Sequence, residues 1–189
     1  MSRQWNALGV SHRFIQRHLP KGGFAVDATA GNGGDTLLLC ETVGKEGRVL
    51  AMDIQAQAVE NTRKLLEEQG WQDTAQVVLD SHANLLQYVQ PESADCVVFN
   101  FGWLPGGDHD VFTHAETSIQ AIEQGLELLK PTGVMSLCIY YGRNNGTGER
   151  DALLEYLASL DSRKITVLMG QFLNRKNDPA IPVFLLKGI

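Results

Sequence analysis

Short apolar runs that alternate with helical stretches constrain the fold of this chain more than any other feature. Residues 24–28 and 48–53 read as strands, and the segments after them, 34–43 and about 56–69, read as helices. The alternation continues with strands over 76–80, 96–100, 134–141, 164–173 and 181–187 and with helices over 83–89, 119–130 and 149–160. The pattern predicts an α/β fold with a doubly wound, mostly parallel, seven-stranded sheet whose last two strands form an antiparallel edge hairpin.

Length and composition indicate one domain that spans residues 1–189. The chain has 43% hydrophobic residues, which is enough for one buried core. Its apolar runs are shorter than a membrane span, and the N-terminal Met1-Ser2-Arg3-Gln4 lacks a signal-peptide pattern, so we expect a soluble, cytoplasmic protein. The cysteines Cys40, Cys96 and Cys138 are not paired at zinc or redox spacing and are expected to be buried thiols.

The charge balance excludes a protein that coats nucleic acid with its whole surface. The formal net charge is -6 at pH 7, whereas phosphate binding relies on Lys and Arg. Two local basic clusters remain, one with Arg13, Arg17, His18 and Lys21 and one at Arg175-Lys176. They are either a local binding patch or solvated faces, and a homodimer would merge two copies of them.

The stretch "DATAGNGGDT", Asp27 to Thr36, lies between the first predicted strand and the first predicted helix. In open α/β sheets the first strand-to-helix turn is a common ligand site. Gly31, Gly33 and Gly34 allow a ligand to approach the backbone closely, and the start of the helix offers free N–H groups. We therefore expect a cofactor at this turn, although a plain tight turn would have a similar sequence.

The residues around the turn distinguish between the candidate cofactors. A phosphate-binding loop would end in Gly-Lys-Ser or Gly-Lys-Thr, and a dinucleotide loop would have a third glycine where Thr36 stands. The carboxylates of Asp27 and Asp35 would repel a pyrophosphate and suit a cationic ligand. S-adenosylmethionine, a sulfonium without phosphate, fits this pattern, and an NAD(P)-dependent oxidoreductase is the alternative.

Three further positions are candidate cofactor contacts. Asp53 ends the second strand, where a carboxylate can accept both hydroxyls of a ribose. Gln55 could add an amide contact or simply begin a helix. Ser81 and His82 follow the third strand, where they could meet an adenine ring, although helix capping by Ser81 explains that residue equally well.

A second group of polar residues follows the fourth strand. Asn100 ends that strand and is expected beside the reactive end of the cofactor. Trp103 could stack on a flat base or only close the pocket. Asp108 and His109 are the nearest groups that could take a proton from an amine, although Asp108 could instead cap a turn. In-line methyl transfer needs alignment and exclusion of water, so no metal site is predicted.

Together these residues resemble a known family, the small bacterial class I S-adenosylmethionine-dependent methyltransferases once labelled putative rRNA methylases. The resemblance covers nearly the whole chain, and the stretch after the fourth strand is its most specific part. It is carried by residues 27–36, Asp53-Ile54-Gln55, residues 100–108, Tyr140-Tyr141-Gly142 and residues 174–179. The chain departs from the family pattern at Tyr141-Gly142-Arg143, where the family has Tyr-His-Gly-His.

This resemblance implies a single-domain, Rossmann-like class I methyltransferase that acts on tRNA. The implied substrate is the exocyclic amine of 5-aminomethyl-2-thiouridine at the wobble position of the anticodon stem-loop. By matching position, the cofactor side would include Asn32, Gly34, Asp53, Gln55, Ser81 and His82, and the substrate side would include Asn100, Asp108 and Tyr140. From the residues alone, an rRNA or small-molecule methyltransferase and a cofactor-binding module without catalysis remain open.

Overall fold

The structure is a computed structural model that describes residues 5–102, 115–142 and 147–188. The strands are β1 (Phe24–Asp27), β2 (Arg48–Asp53), β3 (Ala75–Leu79), β4 (Ala94–Phe101), β5 (Leu129–Ile139), β6 (Ile165–Met169) and β7 (Ile181–Lys187). The α-helices are α1 (Ala7–His18), α2 (Gly34–Val43), α3 (Ala56–Glu68), α4 (Ala115–Leu128) and α5 (Gly148–Ser159), and a 3-10 helix spans His82–Gln87. Among these residues, no helix has the length and hydropathy that a membrane crossing requires.

All seven strands form one sheet with the order β3-β2-β1-β4-β5-β7-β6. The first five strands pair in parallel, and β7 is antiparallel to both of its neighbours, β5 and β6. The predicted α/β class, the mostly parallel sheet and the antiparallel edge pair are therefore confirmed. The last strand of the chain, β7, lies between β5 and β6, so β6 is the outermost strand at this edge.

Helices cover both faces of the sheet. One buried cluster joins α1, α2 and α3 to the sheet through side chains such as Ile15, Leu39 and Leu66. A second cluster joins α4 and α5 to the opposite face through Ile122 and Leu153. The three cysteines are free and buried, as predicted.

The N-terminal helix α1 was not predicted, since residues 11–21 were interpreted only by their charge. Asn6 caps the helix, and its Oδ1 accepts a hydrogen bond from the Gly9 N–H at 2.7 Å. Ala7, Ser11 and Ile15 are buried at intervals of four residues, as is usual for a helix with one face against a core. The basic side chains of α1 thus belong to a packed helix.

The predicted end of the fourth α-helix at Lys130 is wrong. The helix α4 ends at Leu128, and Leu129 and Lys130 begin β5. Pro131 is accommodated inside β5 because the β4–β5 pairing is irregular there, with a register shift on β4 between Ala94 and Cys96. The Lys130 ammonium contacts the Asp95 carboxylate at 2.8 Å, which ties the start of β5 to β4.

Candidate active site

The site lies where the strand order reverses, between β1 and β4. The chain leaves β1 toward β2 on one side, while β4 leads to β5 on the other side. A crevice therefore opens at the carboxyl ends of β1 and β4, which is where open α/β sheets bind ligands. The glycine-rich turn after Asp27 and the end of β4 at Asn100 meet at this edge, as predicted.

The glycine-rich turn has the backbone that the sequence indicated. Gly31 and Gly33 have φ angles of +54° and +84°, in the left-handed region that favours glycine. A Cβ at Gly33 would lie 3.0 Å from the Thr62 Cα, so the turn packs tightly on α3. At Gly34, no atom of the described residues outside its own helix backbone and chain neighbours lies within 4 Å of the corresponding position, which leaves that side open for a ligand.

Asp27 lies beneath the turn and not at its mouth. Its side chain is completely buried and accepts hydrogen bonds from the Thr36 hydroxyl at 2.6 Å and the Thr29 N–H at 3.2 Å. Burial, with a smaller contribution from the Asp35 charge, raises the pKa of Asp27 to about 7. Asp27 thus shapes the turn from below, and its predicted contact with the cofactor stays a prediction.

Asp53 links the end of β2 to the glycine-rich turn. Its Oδ2 accepts a hydrogen bond from the Gly31 N–H and its Oδ1 one from the Gln55 N–H, each at 2.9 Å. The carboxylate is half-buried, and each of its oxygens has a second lone pair. A vicinal diol at this position could donate to both oxygens, which is the arrangement that the prediction requires.

Asn32 and Gln55 also lie at this turn. The Asn32 Oδ1 accepts a hydrogen bond from the Asn61 Nδ2 at 2.9 Å, which ties the turn to α3. Gln55 precedes α3, but its side chain makes no capping hydrogen bond. The predicted contacts of both residues with the cofactor stay predictions.

Ser81 and His82 follow β3 and border the same edge. The Ser81 hydroxyl accepts a hydrogen bond from the Ala83 N–H at 3.2 Å, so the capping interpretation of this residue is observed. The His82 ring stands edge-on to Phe99 and Phe101, with ring centroids 6.2 and 6.0 Å apart. Burial lowers the pKa of His82, although the Asp53 charge opposes this. A neutral imidazole can donate one hydrogen bond and accept another.

Three polar side chains from distant parts of the chain form a connected hydrogen-bond network. The His12 Nε2 and the Asp35 Oδ1 are 2.6 Å apart, and the Asn100 Nδ2 donates to the Asp35 Oδ2 at 2.7 Å. Asp35 lies in the first turn of α2 and is only 8% exposed. Asp35 therefore connects α1 to the end of β4.

Among the described residues, the Asn100 side chain has an oxygen without a hydrogen-bond partner. Its Oδ1 is buried and accepts no hydrogen bond among the described residues. The Asn100 backbone N–H is also held, because it donates to the Thr29 hydroxyl at 2.7 Å. An acceptor that is unsatisfied among the described residues is costly in an interior, and a ligand N–H at this position would satisfy it.

Tyr140 follows β5 and lies beside this network. Its N–H donates to the Phe101 carbonyl at 2.9 Å, and its side chain is 38% exposed. Burial, with a smaller contribution from the Asp35 charge, raises the pKa of Tyr140, so its hydroxyl keeps its proton at neutral pH. The phenol can donate a hydrogen bond to a ligand, but it is unsuited to act as a base.

Asp108, Trp103, His109 and Arg143 lie outside the described residues, so their predicted roles stay predictions. His12 was missed altogether, although it contacts a predicted acidic residue. The spacing of Ala7, Ser11 and Ile15 could have identified α1. No sequence pattern could have paired His12 with Asp35, because the contact depends on how α1 packs against α2.

Known proteins resemble this chain along most of its length. The family model described as "Putative rRNA methylase" matches residues 49–186. A curated relative from Arabidopsis thaliana, a chloroplastic tRNA (mnm(5)s(2)U34)-methyltransferase, is 35% identical over 96% of this chain and 69% of its own length.

Solved structures agree with this result. A structure described as a putative rRNA-methylase from Clostridium thermocellum is 40% identical, with a TM-score of 0.93 over 96% of this chain and 97% of the other. A putative methyltransferase from Streptococcus mutans in complex with SAH is 36% identical, with a TM-score of 0.86 over 96% and 97% of the two chains. As the sequence resemblance predicted, this chain belongs to the putative rRNA methylase family, whose fold is that of the class I methyltransferases.

Proposed function

We propose that this methyltransferase transfers a methyl group to the aminomethyl nitrogen of 5-aminomethyl-2-thiouridine at the tRNA wobble position, in the cytoplasm. The observation that carries the proposal is the unpartnered Asn100 Oδ1 at the end of β4. It suits an amine nucleophile, which has N–H donors. The relative from Arabidopsis, named as a methyltransferase for U34 of tRNA, supports the choice of nucleoside.

The methyl donor is S-adenosylmethionine, as the sequence predicted, and a 36% identical relative has been solved with SAH. The residues at the site fit this cofactor. The half-buried Asp53 carboxylate suits a ribose, and the open side of Gly34 allows the ligand to approach the backbone closely. The turn lacks the lysine of a phosphate-binding loop and the third glycine of a dinucleotide loop. The buried carboxylate of Asp35 suits a ligand that carries positive charge.

Bound S-adenosylmethionine supplies an electrophilic methyl carbon on a sulfonium. The protein has to align an uncharged amine with that carbon and to keep water away. Asn100 would accept an N–H of the amine through Oδ1, which directs the nitrogen lone pair. The Asp35 carboxylate holds the Asn100 amide in place and offers negative charge near the nitrogen as it becomes an ammonium. We keep Asp108 as the proposed proton acceptor and Tyr140 as a residue that lines the substrate side.

Nucleoside mass spectrometry tests the proposal. The purified protein is incubated with S-adenosylmethionine and with either tRNA or rRNA from cells that accumulate the aminomethyl nucleoside, and the digested RNA is analysed. We expect 5-aminomethyl-2-thiouridine to decrease in tRNA while a nucleoside heavier by one methylene increases. A new methyl group only in rRNA, or in neither RNA, would contradict the proposal and favour an rRNA or small-molecule methyltransferase.

His12 is expected to act as a positioning residue through its contact with Asp35. The variant His12→Ala should lower kcat about tenfold, because a hydrogen bond to a charged group contributes about 1.5–3 kcal/mol. His12→Gln can still donate to the carboxylate and should recover part of the loss. Single-turnover methylation measures the effect, with the cofactor Kd determined in parallel.

The matched control for His12 is His18→Ala on the same helix. His18 is exposed and contacts the Phe14 carbonyl, so this variant should leave kcat unchanged. Wild-type kcat in His12→Ala would show that the Asp35 orientation does not depend on His12. An equal loss in both variants would instead indicate a general effect on α1.

A further inference from the structure

An exposed surface beside the active site combines aromatic rings with guanidinium groups. We call it the edge patch and define it by Trp5, Arg13, Phe172, Leu173 and Arg175. The Arg13 guanidinium lies 3.9 Å from the centre of the Trp5 ring, and the Arg175 guanidinium lies 4.3 Å from the centre of the Phe172 ring. The Arg175 Nη2 also donates to the Trp5 carbonyl at 2.5 Å, which joins the two halves.

Both halves of the edge patch adjoin the site edge of the sheet. Arg13 follows His12, which contacts Asp35 in the site. The other half lies between β6 and β7, and β7 begins at Ile181 opposite Ile139, at the carboxyl end of β5. A Cβ at Gly142, two residues after Tyr140, would lie 3.5 Å from the Asp178 side chain, so this segment reaches the substrate side.

Charge is distributed unevenly along the chain, and the two segments that contain the patch residues are basic. Residues 1–26 and 162–177 contain eight of the 16 Lys and Arg and none of the 22 Asp and Glu. The rest of the chain is correspondingly acidic. Within the described part of the chain, the hydrogen bond of the Arg175 guanidinium goes to a neutral carbonyl, and no carboxylate forms an ion pair with it. Its positive charge is therefore available to an external anion.

The patch also offers apolar and aromatic surface to a ligand. Trp5 is 59% exposed and Leu173 is 89% exposed. Stacking on aromatic rings together with phosphate contacts is how proteins hold single-stranded nucleic acid. A second copy of this chain is a poorer partner, because a two-fold contact would bring the arginines of the two patches toward one another.

We infer that the edge patch binds the single-stranded loop of the RNA substrate through phosphate contacts to its arginines and base stacking on its aromatic rings. This inference rests on the proposed function, because it assumes an RNA substrate. It also explains how an acidic chain can handle RNA, since the contact is confined to one basic surface next to the reacting groups.

Charge reversal at Arg175 tests the inference. The probe is a fluorescently labelled RNA stem-loop with the sequence of a tRNA anticodon arm, and its Kd is measured by anisotropy over a range of salt concentrations. Arg175→Glu should raise the RNA Kd about tenfold or more and reduce the slope of log Kd against log salt by about one. Trp5→Ala should raise the Kd about fivefold or more with little change in the slope.

The matched control is Arg163→Glu. Arg163 is 87% exposed and lies just before β6, at the opposite end of that strand from the patch. This variant should change the RNA Kd less than about twofold. Calorimetry should give an unchanged S-adenosylmethionine Kd for all three variants, and thermal melting should show that each remains folded.

Several outcomes would overturn the inference. Wild-type RNA binding in both Arg175→Glu and Trp5→Ala would do so, as would an equal loss in Arg163→Glu, which would indicate general charge attraction. A changed oligomeric state by light scattering would show that the patch is an interface between copies of the chain. Failure of the proposed function is distinguishable, because the wild-type protein would then bind the stem-loop through the patch without methylating tRNA.

Discussion

The variant Asp53→Ala is expected to weaken S-adenosylmethionine binding about 100-fold. The Asp53 carboxylate accepts hydrogen bonds from the N–H groups of Gly31 and Gln55, so its removal loosens the glycine-rich turn. It also removes the acceptors proposed for the ribose hydroxyls. Hydrogen bonds to charged groups contribute about 1.5–3 kcal/mol each, which accounts for two orders of magnitude in affinity. Isothermal titration calorimetry with the apo protein measures the change.

Two further variants serve as comparisons for Asp53→Ala in the binding experiment. Asp53→Asn keeps one oxygen acceptor and should lose only about tenfold in affinity, because a neutral acceptor makes a weaker bond. Glu60→Ala removes the same charge from an exposed position on α3 and should bind normally. If Asp53→Ala remains folded and binds within about twofold of the wild type, Asp53 does not hold the ribose.

The parts of the fold that the sequence predicted well are those set by local pattern. Alternating strands and helices identified all seven strands, and the glycine spacing placed the turn at the edge where it is found. In the helix α3, Val59, Thr62 and Leu66 recur at the spacing of one helical face, and all three are buried. Such patterns succeed because burial against one sheet imposes a fixed period on each element.

The predictions failed where tertiary context decides the outcome. The helix predicted over 119–130 ends two residues early, and the irregular pairing of β4 and β5 admits Pro131 inside a strand. The segment that forms α1 was interpreted by its charges, and the helical spacing of its buried side chains, Ala7, Ser11 and Ile15, was not recognised. The contacts of Asp27 with Thr36 and Thr29 also depend on tertiary packing, whereas its expected contact with the cofactor stays a prediction.

The sequence predicted which residues contribute to the site, but not the contacts that they make with one another. Asn100 and Asp35 were singled out by their places after a strand and in a glycine-rich turn. Their hydrogen bond joins residues 65 positions apart and follows from the parallel neighbours β1 and β4. The unpartnered Asn100 oxygen is a property of the assembled site, and no sequence pattern could reveal it.

The variant Asn100→Ala is expected to lower kcat about 100-fold while the S-adenosylmethionine Kd changes less than about threefold. The reason is that Oδ1 would contact the reacting amine and only the nucleophile would lose its alignment. Steady-state transfer to the RNA identified by nucleoside analysis measures kcat, and calorimetry measures the cofactor Kd. An unchanged kcat with a raised cofactor Kd would show that Asn100 binds the cofactor instead.

The variant Asn100→Asp separates the two atoms of the amide. It keeps an oxygen acceptor for the amine but replaces the Nδ2 donor, which lies 2.7 Å from the Asp35 Oδ2. Two carboxylates at that distance repel one another, so the new oxygen cannot keep the native orientation without taking up a proton. We therefore expect Asn100→Asp to be nearly as slow as Asn100→Ala. Near-normal activity in Asn100→Asp would mean that an acceptor alone is sufficient and that the contact with Asp35 does not position it.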